Sequence, residues 1–96
     1  MRISKSEISN LLNSIKYFDS DAVVYLFGSR TDDDKRGGDI DIAVLSHKID
    51  LKEKIEIKYN FFSVFGEQKI DILIVDNEQQ PFWQYIKDKA ILLSND

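Results

Sequence analysis

Residues 22–27 read Ala-Val-Val-Tyr-Leu-Phe, a continuous β-branched and aromatic run that stops at Gly28. A strand of that composition offers water no polar face, so other parts of the chain are expected to cover it on both sides. Two further runs have strand character, Asp39 to Leu45 and Lys69 to Val75. Around them lie segments with the spacing of amphipathic helices: Ile8, Leu11, Leu12, Ile15 and Phe18 first, then Leu51, Ile55, Tyr59 and Phe62 as the apolar face of a second. Ser4-Lys5-Ser6-Glu7 supplies a capping box for the first helix; Asp50-Leu51-Lys52-Glu53 repeats it for the second, which Gly66 closes.

Pro81 suits the first position of a last helix running toward Lys89, with Phe82, Tyr85 and Ile86 as its apolar stripe. Ile91-Leu92-Leu93 is short enough for an edge strand. The order helix, strand, strand, helix, strand, helix predicts an α/β sandwich in which helices flank a mixed β-sheet of three to four strands. A helix joins the second and third strands, so those two are expected to be parallel neighbours.

The 96 residues make a single domain, residues 1–96. A core of that size leaves much apolar surface near water, so a homo- or hetero-oligomeric contact is expected to add stability. The absence of cysteine excludes disulfides and thiolate metal sites and fits a reducing, cytoplasmic setting. The start Met1-Arg2-Ile3-Ser4 has no signal-peptide character, and no stretch is apolar for long enough to span a membrane. A net charge of -4 argues against direct nucleic-acid binding, which draws on clustered Lys and Arg. Small nucleotides are the expected substrates if the chain handles nucleotides at all.

Strand alternation puts Asp39 and Asp41 on one face and Ile40, Ile42 and Val44 on the other. Two neighbouring carboxylates repel, and a hard cation such as Mg²⁺ relieves that repulsion when substrate phosphates complete its coordination. Parallel pairing brings the start of the third strand to the same edge, which makes Asp71 the third candidate carboxylate. Gly28-Ser29 stands where the first strand ends, and a polar loop returns the chain quickly to Asp39. Glycine allows close backbone approach to a phosphate, while the Ser hydroxyl and nearby N–H groups donate to it. Singly, these features are a turn, a solvated strand end and an edge charge. Together they point to a site for a metal ion and a triphosphate.

The segments Leu26-Phe27-Gly28-Ser29-Arg30, Gly38-Asp39-Ile40-Asp41-Ile42-Ala43-Val44 and Ile70-Asp71-Ile72 resemble the Gly-Ser, Asp-x-Asp and third-Asp motifs of the polymerase-β-like nucleotidyltransferase superfamily. Length and the Gly-Ser-Arg form are similar to its minimal, MNT-type members, many of them antitoxins of HEPN ribonucleases. The resemblance implies a small nucleotidyltransferase-fold sandwich in which Asp39, Asp41 and Asp71 are catalytic and hold two Mg²⁺ ions. It gives Gly28, Ser29 and Arg30 to the nucleotide, with ATP as substrate. It further implies transfer of AMP to a tyrosine hydroxyl of a cognate HEPN toxin; the alternative is an inactive antitoxin that neutralises its partner by binding alone. Thr31-Asp32 replaces the usual Ala-Arg of that pattern, and Gly38 stands where a Ser often precedes the first carboxylate.

Outside these motifs, Asp32-Asp33-Asp34 reads as a solvated loop run; Arg30, Lys35 and Arg36 are candidates to neutralise triphosphate charge, Arg30 the best placed of them beside Ser29, with balance of the aspartates as the alternative for Arg36. His47 follows the second strand at the end away from Asp39 and is not expected to act. Trp83 and Phe82 are expected in the core.

Overall fold

The computed structural model describes residues 1–95. Helix α1 (Lys5–Phe18) begins at Ser4, whose hydroxyl accepts the N–H of Glu7 while the Glu7 carboxylate accepts the N–H of Ser4. Helix α2 (Leu51–Phe65) starts on the reciprocal Asp50–Glu53 box and ends at Gly66, whose φ of 80° stops the helix. Both caps answer backbone groups that a helix end leaves unpaired. The strands are β1 (Val23–Phe27), β2 (Ile40–Leu45), β3 (Ile70–Val75) and β4 (Ile91–Leu92). Helix α3 (Pro81–Ile86) is one and a half turns long and tightens into a 3₁₀ turn at Lys87–Lys89.

The sheet order is β3-β2-β1-β4. β1 is antiparallel to β2 and to β4, and β2 is parallel to β3, so the sheet is mixed, with four strands. Its helix-joined strands are the parallel pair. One face carries Val24, Leu26, Ile40, Ile42, Val44, Ile70 and Ile72, packed against Leu11 and Ile15 of α1 and Ile57 and Phe61 of α2. On the other face, Trp83 of α3 is buried against Ala43 and Val75, its ring 5.1 Å from that of Tyr25. Among the described residues no helix is long and apolar enough to cross a membrane.

Three expectations fail: on α3 the stripe Phe82, Tyr85 and Ile86 is not the buried face, since Phe82 and Tyr85 are exposed and Trp83 is buried, and the other two concern α2 and β1. Of the expected α2 stripe, Leu51, Ile55 and Tyr59 face solvent, with Tyr59 73% exposed, and Phe62 alone packs partly buried against the core; the buried residues are Ile57 and Phe61. The helix carries two apolar stripes, and the one with two phenylalanines, Phe61 and Phe65, fills more of the space under the sheet. Nor is β1 buried on both faces: Val24 and Leu26 are buried, Tyr25 and Phe27 only partly. The short α3 covers one half of its face and leaves the other open.

Candidate functional site

The open half is where the predicted residues collect. Asp41 projects from β2 on the same face as Ala43 and Leu45, opposite buried Ile40, Ile42 and Val44. Its register partner in β3 is Asp71, and its partner in β1 is Phe27, the residue before Gly28. Parallel pairing thus puts the two aspartates side by side with no offset. Asp39 precedes the strand, and its Oδ2 lies 3.3 Å from the Nζ of Lys69, the residue just before β3.

These carboxylates sense one another. Partial burial pushes the Asp41 carboxyl above its ordinary value, and the charges of Asp71 and then Asp39 push it further. Lys69 counters this but is outweighed, because it is fully solvated and engaged with Asp39. Among the described residues no three His, Cys, Asp or Glu side chains form a ready-made metal cage. Mg²⁺ does not demand one, since it is commonly held by one or two carboxylates together with substrate phosphates. The repulsion that Asp41 meets from Asp71 and Asp39, and the ammonium resting on Asp39, are what an edge that attracts cations displays. The in-register pair Asp41 and Asp71 thus offers carboxylates of the kind a divalent metal uses together with substrate phosphates, while Asp39 rests on Lys69.

Gly28 opens a 3₁₀ turn, Gly28–Thr31, that bends the chain off the end of β1. Its φ is 75°, and a Cβ there would collide with Oδ2 of Asp41. Glycine is required twice over, by conformation and by the approach of backbone to carboxylate. Gly38 repeats the device at the far end of the loop, with φ 85° and a would-be Cβ that strikes the Oγ of Ser29. The Ser29 hydroxyl is thus held against the residue that precedes Asp39. Thr31 closes the turn by donating to the Gly28 carbonyl at 2.7 Å.

Arg30 is placed differently from its neighbours. Its Nη1 donates to the carbonyl of Arg2 at 2.8 Å and its Nε to the carbonyl of Gly38 at 3.2 Å, so the guanidinium ties backbone together. Arg2, which carried no signal in the sequence beyond being a charge near the start of the chain, is the other half of that tie. A cleft of about 330 Å³ adjoins Gly28, lined by Phe27, Thr31, Tyr85, Ile86, Asp88 and Lys89. Sequence reasoning missed it, because it forms only where α3 folds back over the end of β1.

The remaining candidates lie elsewhere or serve the loop. The Asp32 carboxylate accepts the N–H of Asp34 at 2.9 Å, and Asp33 pairs with the terminal ammonium of Met1. His47 lines a larger cavity of about 670 Å³ at the opposite end of the sheet, beside Asp19, Ser46 and Asp76. That cavity is not near the carboxylates. Trp83 is core, as expected, whereas Phe82 is half exposed and meets Phe27 edge-on at 5.9 Å.

No curated protein matches the chain. The family model described as Polymerase beta, Nucleotidyltransferase matches residues 9–96, which takes in the Gly-Ser turn, all three carboxylates and every strand. With the mixed sheet, the paired Asp41 and Asp71 and the glycine turned onto Asp41, this makes the chain a member of the polymerase-β nucleotidyltransferase family.

Proposed function

We propose that the chain is a metal-dependent nucleotidyltransferase that moves AMP from ATP to a tyrosine hydroxyl of a HEPN-type toxin and so acts as its antitoxin. Family membership supports nucleotidyl transfer in general; the acceptor, the adenine and the antitoxin role rest on the resemblance to MNT-type domains. The observation that carries the catalytic part is the closeness of Gly28 backbone to Asp41, which joins a phosphate-type turn to a carboxylate pair in register.

In this reading Asp39, Asp41 and Asp71 hold Mg²⁺, which offsets triphosphate charge and favours in-line displacement at phosphorus when bound. The Ser29 hydroxyl and neighbouring N–H groups orient the phosphates. The cleft beside Gly28 receives the nucleoside against Phe27 and Tyr85, with Lys89 at its rim. The acceptor oxygen forms a bond to the α-phosphorus as the bridging oxygen to the β-phosphorus departs with pyrophosphate. The hydroxyl proton leaves to a carboxylate of the site. A protein partner of this domain has apolar surface to meet: Leu51, Ile55 and Tyr59 on α2 and Tyr85 on α3 are all exposed.

The test uses α-labelled ATP, Mg²⁺ and the protein encoded by the neighbouring reading frame. Label is expected on a tyrosine of that partner, and Asp39→Asn with Asp41→Asn should reduce labelling by about 100-fold or more. Equal labelling by the double variant would end the catalytic proposal. Neutralisation of the partner by an inactive double variant would instead favour an antitoxin that works by binding alone.

A further inference from the structure

Arg2 lies ahead of α1 and outside the core, yet its guanidinium makes three hydrogen bonds of 2.8 Å each, to the carbonyls of Ser29, Asp32 and Gly37. Its own N–H donates to the Arg30 carbonyl at 2.8 Å, and its carbonyl accepts from Arg30 Nη1 at 2.8 Å. Arg30 Nε adds the carbonyl of Gly38. Two guanidiniums therefore hold the beginning, the bend and the end of the loop between β1 and β2. The loop's other internal ties are confined to residues 28–35, among them Asp32 N–H to the Ser29 carbonyl at 3.1 Å and Asp34 N–H to the Asp32 carboxylate at 2.9 Å, and none of these reaches Gly37 or Gly38.

The direction of these bonds matters more than their number. In a trans peptide the C=O and the N–H of the next residue point opposite ways, and among the described residues there is no cis peptide. Carbonyls of Gly37 and Gly38 drawn onto the arginines thus turn the N–H groups of Gly38 and Asp39 toward the other side of the loop. Among the described residues, neither the Gly38 N–H nor the Asp39 N–H has a protein acceptor. Outward N–H groups beside the Ser29 hydroxyl make a concave set of donors suited to phosphate oxygens.

We propose that Arg2 is a positioning residue that shapes the 29–39 loop into a phosphate cradle by holding its carbonyls from behind. The proposal rests on the triphosphate reading above. Arginine suits the task because its planar fork reaches several acceptors at once, which a lysine ammonium on a flexible stem does not reproduce.

Wild type, Arg2→Ala and Arg2→Lys are compared for binding of ATP with Mg²⁺ and of Mn²⁺ alone, for thermal unfolding, and for amide hydrogen exchange. Arg2→Ala should weaken ATP binding by about tenfold, the factor expected when one or two net hydrogen bonds stop ordering the cradle. Arg2→Lys should recover only part of that loss. Exchange should quicken at residues 30–39 and stay unchanged in β3, with Mn²⁺ binding close to wild type and the unfolding midpoint lowered by about 5 °C. Equal ATP affinity in wild type and Arg2→Ala would overturn the proposal while leaving the triphosphate reading intact. A parallel loss of Mn²⁺ binding would also overturn it, since Arg2 would then support the whole site. Failure of wild type to bind ATP would remove the triphosphate reading and this proposal together.

Discussion

Asp19 and Asp41 stand at opposite ends of one sheet and are treated in opposite ways. Asp19, at the end of α1, is buried; its Oδ2 accepts the Ser46 hydroxyl at 2.6 Å and its Oδ1 the Asp21 N–H at 3.0 Å. The Ser46 bond, helped by the Asp21 N–H, holds its carboxyl below the ordinary value even though burial pulls the other way. Ser46 in turn accepts the N–H groups of Lys48 and Ile49, so α1, β2 and the approach to α2 are joined through one polar knot. Asp41 has no comparable set of donors, and burial with the charges of Asp71 and Asp39 moves its carboxyl the other way. A carboxylate whose bonds are complete stabilises the fold; one left short of donors beside two others is suited to a ligand.

The contrast can be broken from either end. The largest effect is expected at the satisfied end, where Asp19→Ala strands the Ser46 hydroxyl and the Asp21 N–H. A loss of about 2 kcal/mol follows for a buried charge-assisted bond, lowering the unfolding midpoint by about 10 °C. Nucleotide transfer per folded molecule should not change, and scanning calorimetry beside an activity assay checks both. Because the folded carboxyl lies below the ordinary 3.8, this contribution is present above that pH and disappears as pH falls through the folded value.

At the other end, Gly28→Ala forces a side chain into a backbone with φ 75° and against Asp41. A cost of about 1 to 2 kcal/mol is expected from the conformation alone. Here activity should fall well beyond what the fraction folded explains, as kinetics on temperature-matched samples would reveal.

The smallest effect has the opposite sign. Asp41→Asn removes a mutually repelling charge and should raise the unfolding midpoint by a few degrees at neutral pH, while transfer is lost. For a carboxyl raised on folding, the penalty is full above the raised value and vanishes below the ordinary 3.8. Melting curves of wild type and variant should therefore converge as the pH approaches that value. A variant less stable than wild type at neutral pH would show that the Asp41 charge is already compensated in the free protein.

Much of this was legible along the chain. The starts of α1 and α2 were marked by side chains that bond their own backbone within three residues, at Ser4 with Glu7 and Asp50 with Glu53. The phase of Asp41 and Asp71 followed from strand alternation, and their pairing from the rule that a helix-joined pair runs parallel. The burial of α2 was not legible, because two apolar stripes compete on that helix and only the shape of the sheet beneath selects Ile57 and Phe61. The Arg30 carbonyl contacts, the Arg2 tie and the Asp19–Ser46 bond escaped for a shared reason. Their partners are separated by 8 to 35 positions, and most of the acceptors are backbone carbonyls, which every residue type carries.

Local chemistry written into the sequence thus determined the elements, the strand phase and the kind of residues at the site. Tertiary structure alone decided which face of α2 is buried and how close Gly28 comes to Asp41. It also decided which arginine serves the loop from behind. Those outcomes depend on where distant backbones lie in space, and a backbone carbonyl or a gap without a side chain leaves no mark in the order of residues.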